Sequence, residues 1–143
     1  QVVTVSFNAA GLDQPGAYTA QLGIKTDTPY PVDPVGVTLN VAAPKSWGKL
    51  QGTILGQGCT GAPVPLGAVV RINSLSDPTF GVTLRTNKQG GYVRWLPTGR
   101  YDVIVSADTW TPATRRVSVD RGKVTTVNFT LVPVNPCSAV SFD

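Results

Sequence analysis

The side chains with the widest range of chemistry in this sequence are those of two cysteines, Cys59 and Cys137. A thiolate can bind a metal or act as a nucleophile, but these uses need a histidine partner or a C-x-x-C spacing, and the sequence has neither. One disulfide or two free thiols remain. Of these two states we expect the disulfide.

Catalysis is restricted by composition. The eight acidic residues are all aspartates and the 143-residue chain has no histidine, so no Ser-His-Asp or Cys-His arrangement can form. Asp27 and Asp33 share one connector and could hold Ca²⁺, but the D-x-D-x-D-G pattern of a calcium loop is missing, and solvated turn aspartates are the expectation. The sequence predicts a protein that is not an enzyme and that carries no metal or cofactor.

Three tryptophans, Trp47, Trp95 and Trp110, could bind a ligand. Flat aromatic rings presented by a β-sheet can hold sugar rings, which would make these residues a carbohydrate-stacking face. Alternatively, Trp95 and Trp110 cover the edges of a sandwich and Trp47 fills a domain junction, in keeping with the tendency of aromatic rings to be buried. We expect the structural role.

The charge balance is mildly basic, with 12 Lys and Arg against 8 Asp. Except for Arg115-Arg116 the basic residues are scattered, which argues against a nucleic-acid partner. Arginines on predicted strands could point outward and attract an anionic cell-wall polymer, although solubility explains them equally well. These are Arg71, Arg85, Arg94, Arg100, Arg115 and Arg116. No run of about 18 apolar residues could span a membrane, and we expect a soluble segment whose targeting signal lies outside it.

The elements that position these residues are predicted to be strands. The sequence has 15 glycines, 12 prolines and 14% charged residues, together with many valines and threonines, which indicates an all-β fold. Alternating apolar residues in three runs within residues 1–43 predict an antiparallel three-stranded meander. These runs are 3–9, 18–24 and 35–41.

The rest of the chain divides at two proline-containing stretches. Residues 44–47 break the alternation and are predicted to be a linker, and residues 134–143 a tail or second linker. Between them, residues 48–133 contain about seven short apolar runs separated by Gly-, Pro- and Asn-containing turns. This spacing predicts a seven-stranded β-sandwich.

Four motifs in residues 48–133 occur in an order typical of one family. They are Gly52-Thr53-Ile54, APVPLGAVV at 62–70, TNKQGGY at 86–92 and LPTGRYDV at 96–103. Together they resemble the carboxypeptidase regulatory-like family, whose fold is similar to that of transthyretin. Residues 1–43 resemble the last strands of the immunoglobulin-like or fibronectin type III-like modules that follow secreted bacterial subtilisin-like peptidases.

The resemblance implies a non-catalytic accessory region of a secreted or cell-surface peptidase, which spaces, stabilises or docks the catalytic part. It also implies the Cys59–Cys137 disulfide, because the loop after the first strand and the segment after the last strand can meet in such a sandwich. A carbohydrate-binding module and an adhesin or stalk repeat are the alternatives.

Two further expectations concern bonds and partners. The similar collagen-adhesin B-type repeats suggest a Lys49–Asn128 isopeptide bond, but Val105 occupies the position of the required acid, so we expect no bond. The meander of residues 1–43 exposes one apolar face and two open edges. Docking on the second domain, pairing with the tail around Val140 and Phe142, or self-association could cover it, and of these we expect self-association.

Overall fold

The computed structural model describes residues 2–135 and Cys137, and within this part the chain forms eleven β-strands and no helix. The predicted all-β fold class is therefore confirmed. The chain divides into two compact units, residues 1–44 (unit 1) and residues 45–143 (unit 2). No helix in the described ranges is long and apolar enough to cross a membrane.

Unit 1 contains one antiparallel hairpin, formed by β1 (Gly16–Leu22) and β2 (Val35–Val41). The register places Tyr18 opposite Leu39 and Ala20 opposite Val37, so the apolar residues share one face of the hairpin. Threonine, glutamine and asparagine occupy the other face. The alternation predicted for these two strands is thus present in the structure.

The predicted third strand of unit 1, at residues 3–9, is not formed, so the meander is a two-stranded hairpin. Val3, Val5 and Phe7 alternate as a strand would, but Val3 is 77% exposed and no described strand pairs with this segment. Alternation gives a segment a suitable face, whereas a strand also needs a neighbour to satisfy its backbone N–H and C=O groups.

Unit 2 is a sandwich of two sheets. The first is centred on β3 (Trp47–Gly56), so Trp47, which the sequence analysis assigns to the linker, begins a strand. β4 (Val64–Pro65) and β7 (Gly91–Pro97) pair antiparallel with β3, and β10 (Val124–Thr126) and β11 (Phe129–Leu131) pair parallel with it. Val127 and Asn128 separate β10 from β11 and interrupt the parallel edge of this sheet.

The second sheet of unit 2 has four antiparallel strands in the order β6-β5-β8-β9. They are β5 (Val69–Ser74), β6 (Gly81–Arg85), β8 (Gly99–Ser106) and β9 (Ala113–Val119). Successive side chains alternate between the interior and the surface, as the burial of Tyr101, Val103 and Val105 along β8 shows.

The core between the two sheets is apolar. Leu50 and Ile54 of β3 pack with Val70, Ile72 and other apolar side chains of the second sheet. Apart from the phenols of Tyr92 and Tyr101, no polar or charged side chain is buried among the residues that the structure describes. Burial of this apolar surface is the main force that holds the sandwich together.

Candidate functional site

The outer face of the first sheet contains two of the three tryptophans. Lys49 lies opposite Trp95 on one side and opposite Val124 on the other. Residues directly opposite each other on paired strands project to the same face, so Trp47, two positions before Lys49, is the diagonal neighbour of Trp95. Both rings are half-buried. The structure therefore brings Trp47, Lys49 and Trp95 together on one surface.

Trp110 lies at the other end of β3 and does not belong to that surface. Its ring covers Gly56, where an added Cβ would lie 2.6 Å from the ring. Beside it, the Thr111 N–H donates to the Val132 carbonyl at 2.7 Å and the Val134 N–H donates to the Thr109 carbonyl at 2.9 Å. Since β3 has 10 residues, about 30 Å separate its two ends at 3.3 Å per residue. A single stacking face of three tryptophans is not formed.

An open depression of about 620 Å³ lies between the outer face of β3 and the connection from β6 to β7. Lys49 and Asn128 both line it, but Asn128 is exposed and its Oδ1 accepts a hydrogen bond of 2.9 Å from the Thr53 N–H. The core position of the expected acid is occupied by the fully buried Val105. The Asn128 side chain thus binds the backbone of β3, and an apolar side chain stands where the bond would need an acid.

The acidic residues are dispersed over the surface. Asp27 and Asp33 are both exposed, and the described residues contain no group of three or more cysteine or acidic side chains that could hold a metal ion.

The six arginines do not all point outward, as the sequence analysis had them. Arg71, Arg85, Arg100 and Arg116 occupy the outer side of the second sheet. Arg94, however, lies on the same side of β7 as the buried Tyr92 and Leu96, and the Arg115 guanidinium lies 5.5 Å from the ring centre of Phe129. Both residues therefore occupy inward-facing positions of their strands, contrary to the prediction.

Asp102 further reduces the positive charge of the outer face of the second sheet. It accepts hydrogen bonds from Nε and a terminal nitrogen of Arg116, at 2.9 and 3.2 Å. The hydrogen bond from Arg116 is the main cause that lowers the pKa of Asp102 and raises that of Arg116. The face therefore contains a neutralised pair rather than a purely basic patch.

The predicted disulfide between Cys59 and Cys137 is present, with the two Cα atoms 5.4 Å apart. Cys59 follows the end of β3, where the Gln57 N–H donates to the carbonyl of Leu131, the last residue of β11, at 2.8 Å. The disulfide therefore joins the segment after β3, the first strand of unit 2, to the segment after β11, the last one.

A hydrogen bond that the sequence pattern does not predict connects β7 to the interruption between β10 and β11. The Tyr92 hydroxyl donates to the Val127 carbonyl at 2.7 Å, and burial raises the pKa of Tyr92 to about 12. The tyrosine ring and the carbonyl both approach Gly52, where a Cβ would collide with the Val127 oxygen. The motif Gly52-Thr53-Ile54 contains this glycine, but the close contact that requires a glycine at position 52 is seen only in the structure.

Comparison with solved structures shows β-sandwich relatives at low identity. A minor pilin of Streptococcus agalactiae superposes with a TM-score of 0.54 and 17% identity over 76% of this chain and 57% of the pilin. The TIE protein of Bacillus anthracis gives 0.51 and 18% over 71% of this chain and 20% of that one. A 3-chlorocatechol 1,2-dioxygenase of Rhodococcus opacus gives 0.50 and 11% over 62% and 60%. At these identities the likeness is one of fold.

The chain spans less than two thirds of the length of each of these three proteins. No curated protein matches it in sequence. A family model described as the carboxypeptidase regulatory-like domain matches residues 49–132, which is more than half of the chain and coincides with the sandwich from β3 to β11. The chain therefore belongs to the carboxypeptidase regulatory-like domain family.

Proposed function

We propose that this chain is a non-catalytic accessory region that spaces and stabilises the catalytic part of a secreted bacterial peptidase of the subtilisin-like type. Family membership supports an accessory domain, and the resemblance of residues 1–43 to modules that follow such peptidases supports this parent. The disulfide fits an oxidising compartment outside the cytoplasm or at the cell surface.

The direction of the first and last strands of the sandwich is the observation that carries the spacer role. β10 and β11 run parallel to β3, with Val124 beside Lys49 and Leu131 beside Gly56. The chain therefore enters unit 2 at one end of β3 and leaves at the opposite end, roughly 30 Å away at 3.3 Å per residue. A domain connected in this way separates the segments before and after it by its own length.

The absence of histidine from the whole sequence supports a role without catalysis, because the general bases that activate serine and cysteine nucleophiles are usually histidines. The purified chain is expected to show no peptidase turnover with protein or peptide substrates. Turnover that persists after a serine-peptidase inhibitor has removed contaminating activity would contradict the non-catalytic role.

The experiment that tests the proposal uses the reading frame that contains this chain. We expect that frame to encode a subtilisin-like catalytic domain upstream, and a frame without a peptidase domain would refute the parent class. Replacement of residues 45–137 in the parent by a flexible linker of equal length should shorten the thermal half-life of the secreted enzyme while kcat on a small peptide stays unchanged. An unchanged half-life would contradict the stabilising role.

A stalk or adhesin repeat is the second candidate, and the opposite positions of the two ends of the sandwich favour it as well. The fold similarity to a minor pilin is compatible with such a role but is not evidence for it. A reading frame with several copies of this sandwich and no peptidase domain would support the stalk and exclude the peptidase accessory.

The pair Trp47 and Trp95 favours carbohydrate binding as a third candidate, since both rings lie on one outer face beside Lys49. A glycan array probed with the full chain tests this candidate. Trp95→Ala should abolish any signal. Thr126→Ala is the control, because Thr126 lies on the same outer face, two residues after Val124 on β10, and its loss should leave the signal intact. Absence of signal with every glycan, or a signal that Trp95→Ala leaves intact, would remove this candidate.

A further inference from the structure

We propose that the Cys59–Cys137 disulfide turns β3 into a covalent tension path, so that a pull along the chain passes through unit 2 without loading the rest of the sandwich. This inference deepens the proposed spacer role, on which its biological use rests. A spacer between a catalytic domain and an anchored or bound neighbour is stretched whenever the two are pulled apart. Its length under that pull depends on which bonds carry the tension.

The path follows from the positions of the two cysteines relative to the strands. Tension that reaches Trp47 runs along β3 to Gly56 and then to Cys59, and the disulfide transfers it to Cys137. Cys137 lies beyond β11, on the side where the chain leaves the sandwich. Every link of this route is a covalent bond.

The residues between the two cysteines lie outside that route. The disulfide closes a loop with a sequence separation of 78 and holds its ends 5.4 Å apart between Cα atoms. Fully stretched, a segment of that length would span about 280 Å at 3.6 Å per residue. The loop contains eight of the nine strands of unit 2, namely β4 to β11. While the disulfide is intact, tension cannot release this length.

β3 itself can lengthen very little under tension. A β-strand rises about 3.3 Å per residue, close to the limit of a fully extended chain. Neighbouring strands on both sides hold it straight, with β7 paired along Trp47 to Thr53 and β10 and β11 on the other side. Unit 2 with its disulfide is therefore expected to behave as a nearly inextensible strut.

Reduction of the disulfide changes the bonds that resist the pull. Tension then runs from β3 to β11 through hydrogen bonds between parallel neighbours, which are loaded together because the strands are pulled in opposite directions along their length. Among these bonds the Lys49 N–H donates to the Lys123 carbonyl, the Val127 N–H to the Gln51 carbonyl and the Gln57 N–H to the Leu131 carbonyl, at 2.8 to 2.9 Å. Once they break, the loop of unit 2 can extend.

Unit 1 responds differently and gives an internal reference. Gly16 at the start of β1 lies opposite Val41 at the end of β2, so the chain enters and leaves the hairpin at the same end. A pull on those two points opens the hairpin one residue pair at a time. Unit 1 should therefore extend at low force in every redox state, by at most about 160 Å for its 44 residues at 3.6 Å per residue.

Single-molecule force spectroscopy on the full 143-residue chain tests this inference, with peptide-tag handles at both termini that leave the cysteines unmodified. With the disulfide confirmed by intact mass, we expect extension of unit 1 and no release of the loop. Dithiothreitol, which becomes a cyclic disulfide as it converts Cys59 and Cys137 to thiols, should add about 280 Å of contour length per molecule.

The double variant Cys59→Ser and Cys137→Ser is the matched control, and it should show the longer extension with and without dithiothreitol. If this variant does not fold, the native chain before and after reduction still gives the comparison. Release of about 280 Å from the oxidised native chain, or no added length after reduction, would overturn the tension path. Neither result bears on the reading frame of the parent, so the spacer role and the tension path can fail separately.

Discussion

The hydroxyl of Tyr92 reaches across β3 and donates a hydrogen bond of 2.7 Å to the backbone carbonyl of Val127. Gly52, the residue of β3 paired with Tyr92, has no side chain to obstruct this contact. The bond satisfies a carbonyl at the point where the last strand is interrupted between β10 and β11. One tyrosine thus connects β7, across β3, to the segment between β10 and β11.

Gly52→Ala should destabilise unit 2 strongly. The added Cβ would collide with the Val127 carbonyl oxygen and lie 2.8 Å from the Tyr92 ring, so the backbone of one strand must move. Overpacking of this kind costs about 3 kcal/mol of unfolding free energy. Urea denaturation measures the loss, and Gly67→Ala is the control because a Cβ there meets nothing within 4 Å. Equal stability of the two variants would contradict the close approach.

Tyr92→Phe should lower the free energy of unfolding by about 1–3 kcal/mol, because the Val127 carbonyl loses its donor in an apolar environment. The ring and its packing remain, so the loss reports the hydroxyl. Tyr30→Phe is the control, since Tyr30 is 76% exposed and should change stability by less than about 0.5 kcal/mol. If both variants denature at the same urea concentration, the hydrogen bond does not contribute to stability.

The stability of unit 2 should fall in alkaline solution. Burial raises the pKa of Tyr92 from its ordinary value of 10 to about 12, with Arg115 opposing the shift, and burial also raises the pKa of Tyr101. The folded state therefore favours the neutral phenol. This contribution is fully present below pH 10 and is lost as the pH rises to about 12.

To test this pH dependence, the urea midpoint is measured between about pH 9 and 12. This range includes the ordinary pKa of a tyrosine in the unfolded chain and the raised pKa in the folded state. Tyr92→Phe should flatten the decline in part, because Tyr101 still titrates. A native chain whose midpoint is constant over this range would show that neither phenol is buried in the neutral form.

Apolar alternation is enough to predict most strands of the sandwich. The runs at 101–105 and 117–119 lie within β8 and β9, with Val103 and Val119 in the core as their spacing requires. Alternation does not reveal pairing, however. Residues 3–9 show the same pattern as β1 without a partner among the described strands, because strand pairing depends on residues that are distant in the sequence.

The site is less predictable than the fold for the same reason. The disulfide follows from the order of strands in the family, whereas the positions of Trp110 over Gly56 and of Tyr92 beside Val127 depend on contacts between distant segments. The sequence does not reveal the inward-facing positions of Arg94 and Arg115, because a long side chain can extend along apolar residues and keep its charged end near the surface. Strand periodicity alone would assign such a position to an apolar residue.

Removal of the disulfide should cost unit 2 about 4 kcal/mol of unfolding free energy, since a closed loop with a sequence separation of 78 restricts the unfolded chain. The variant with serine at both Cys59 and Cys137 should therefore unfold at a lower urea concentration than the oxidised chain. The reduced native chain is the control for the loss of the sulfur atoms. An oxidised chain no more stable than the reduced one would show that native-state strain cancels the entropic gain.

Self-association through residues 1–43 is the last prediction. The hairpin of unit 1 places Tyr18, Val37 and Leu39 on one face, where they are half-buried, and Val35 of β2 and Phe7 of the segment before β1 are exposed. An isolated two-stranded hairpin is marginally stable in water, and its exposed apolar area costs about 25 cal/mol per Å². A second copy of the hairpin could cover that face or pair with an open edge.

Sedimentation velocity over a range of concentrations should therefore detect a dimer of the full chain. Leu39→Lys, on the apolar face of β2, should shift the chain to the monomer, whereas Thr38→Lys, on its polar face, should leave the dimer intact. Unfolding of unit 2 should be unaffected in both variants, because the substitutions lie outside it. A native chain that sediments as a monomer at every concentration, with residues 1–43 still protected from hydrogen exchange, would refute association between copies and require that the face be covered within one chain.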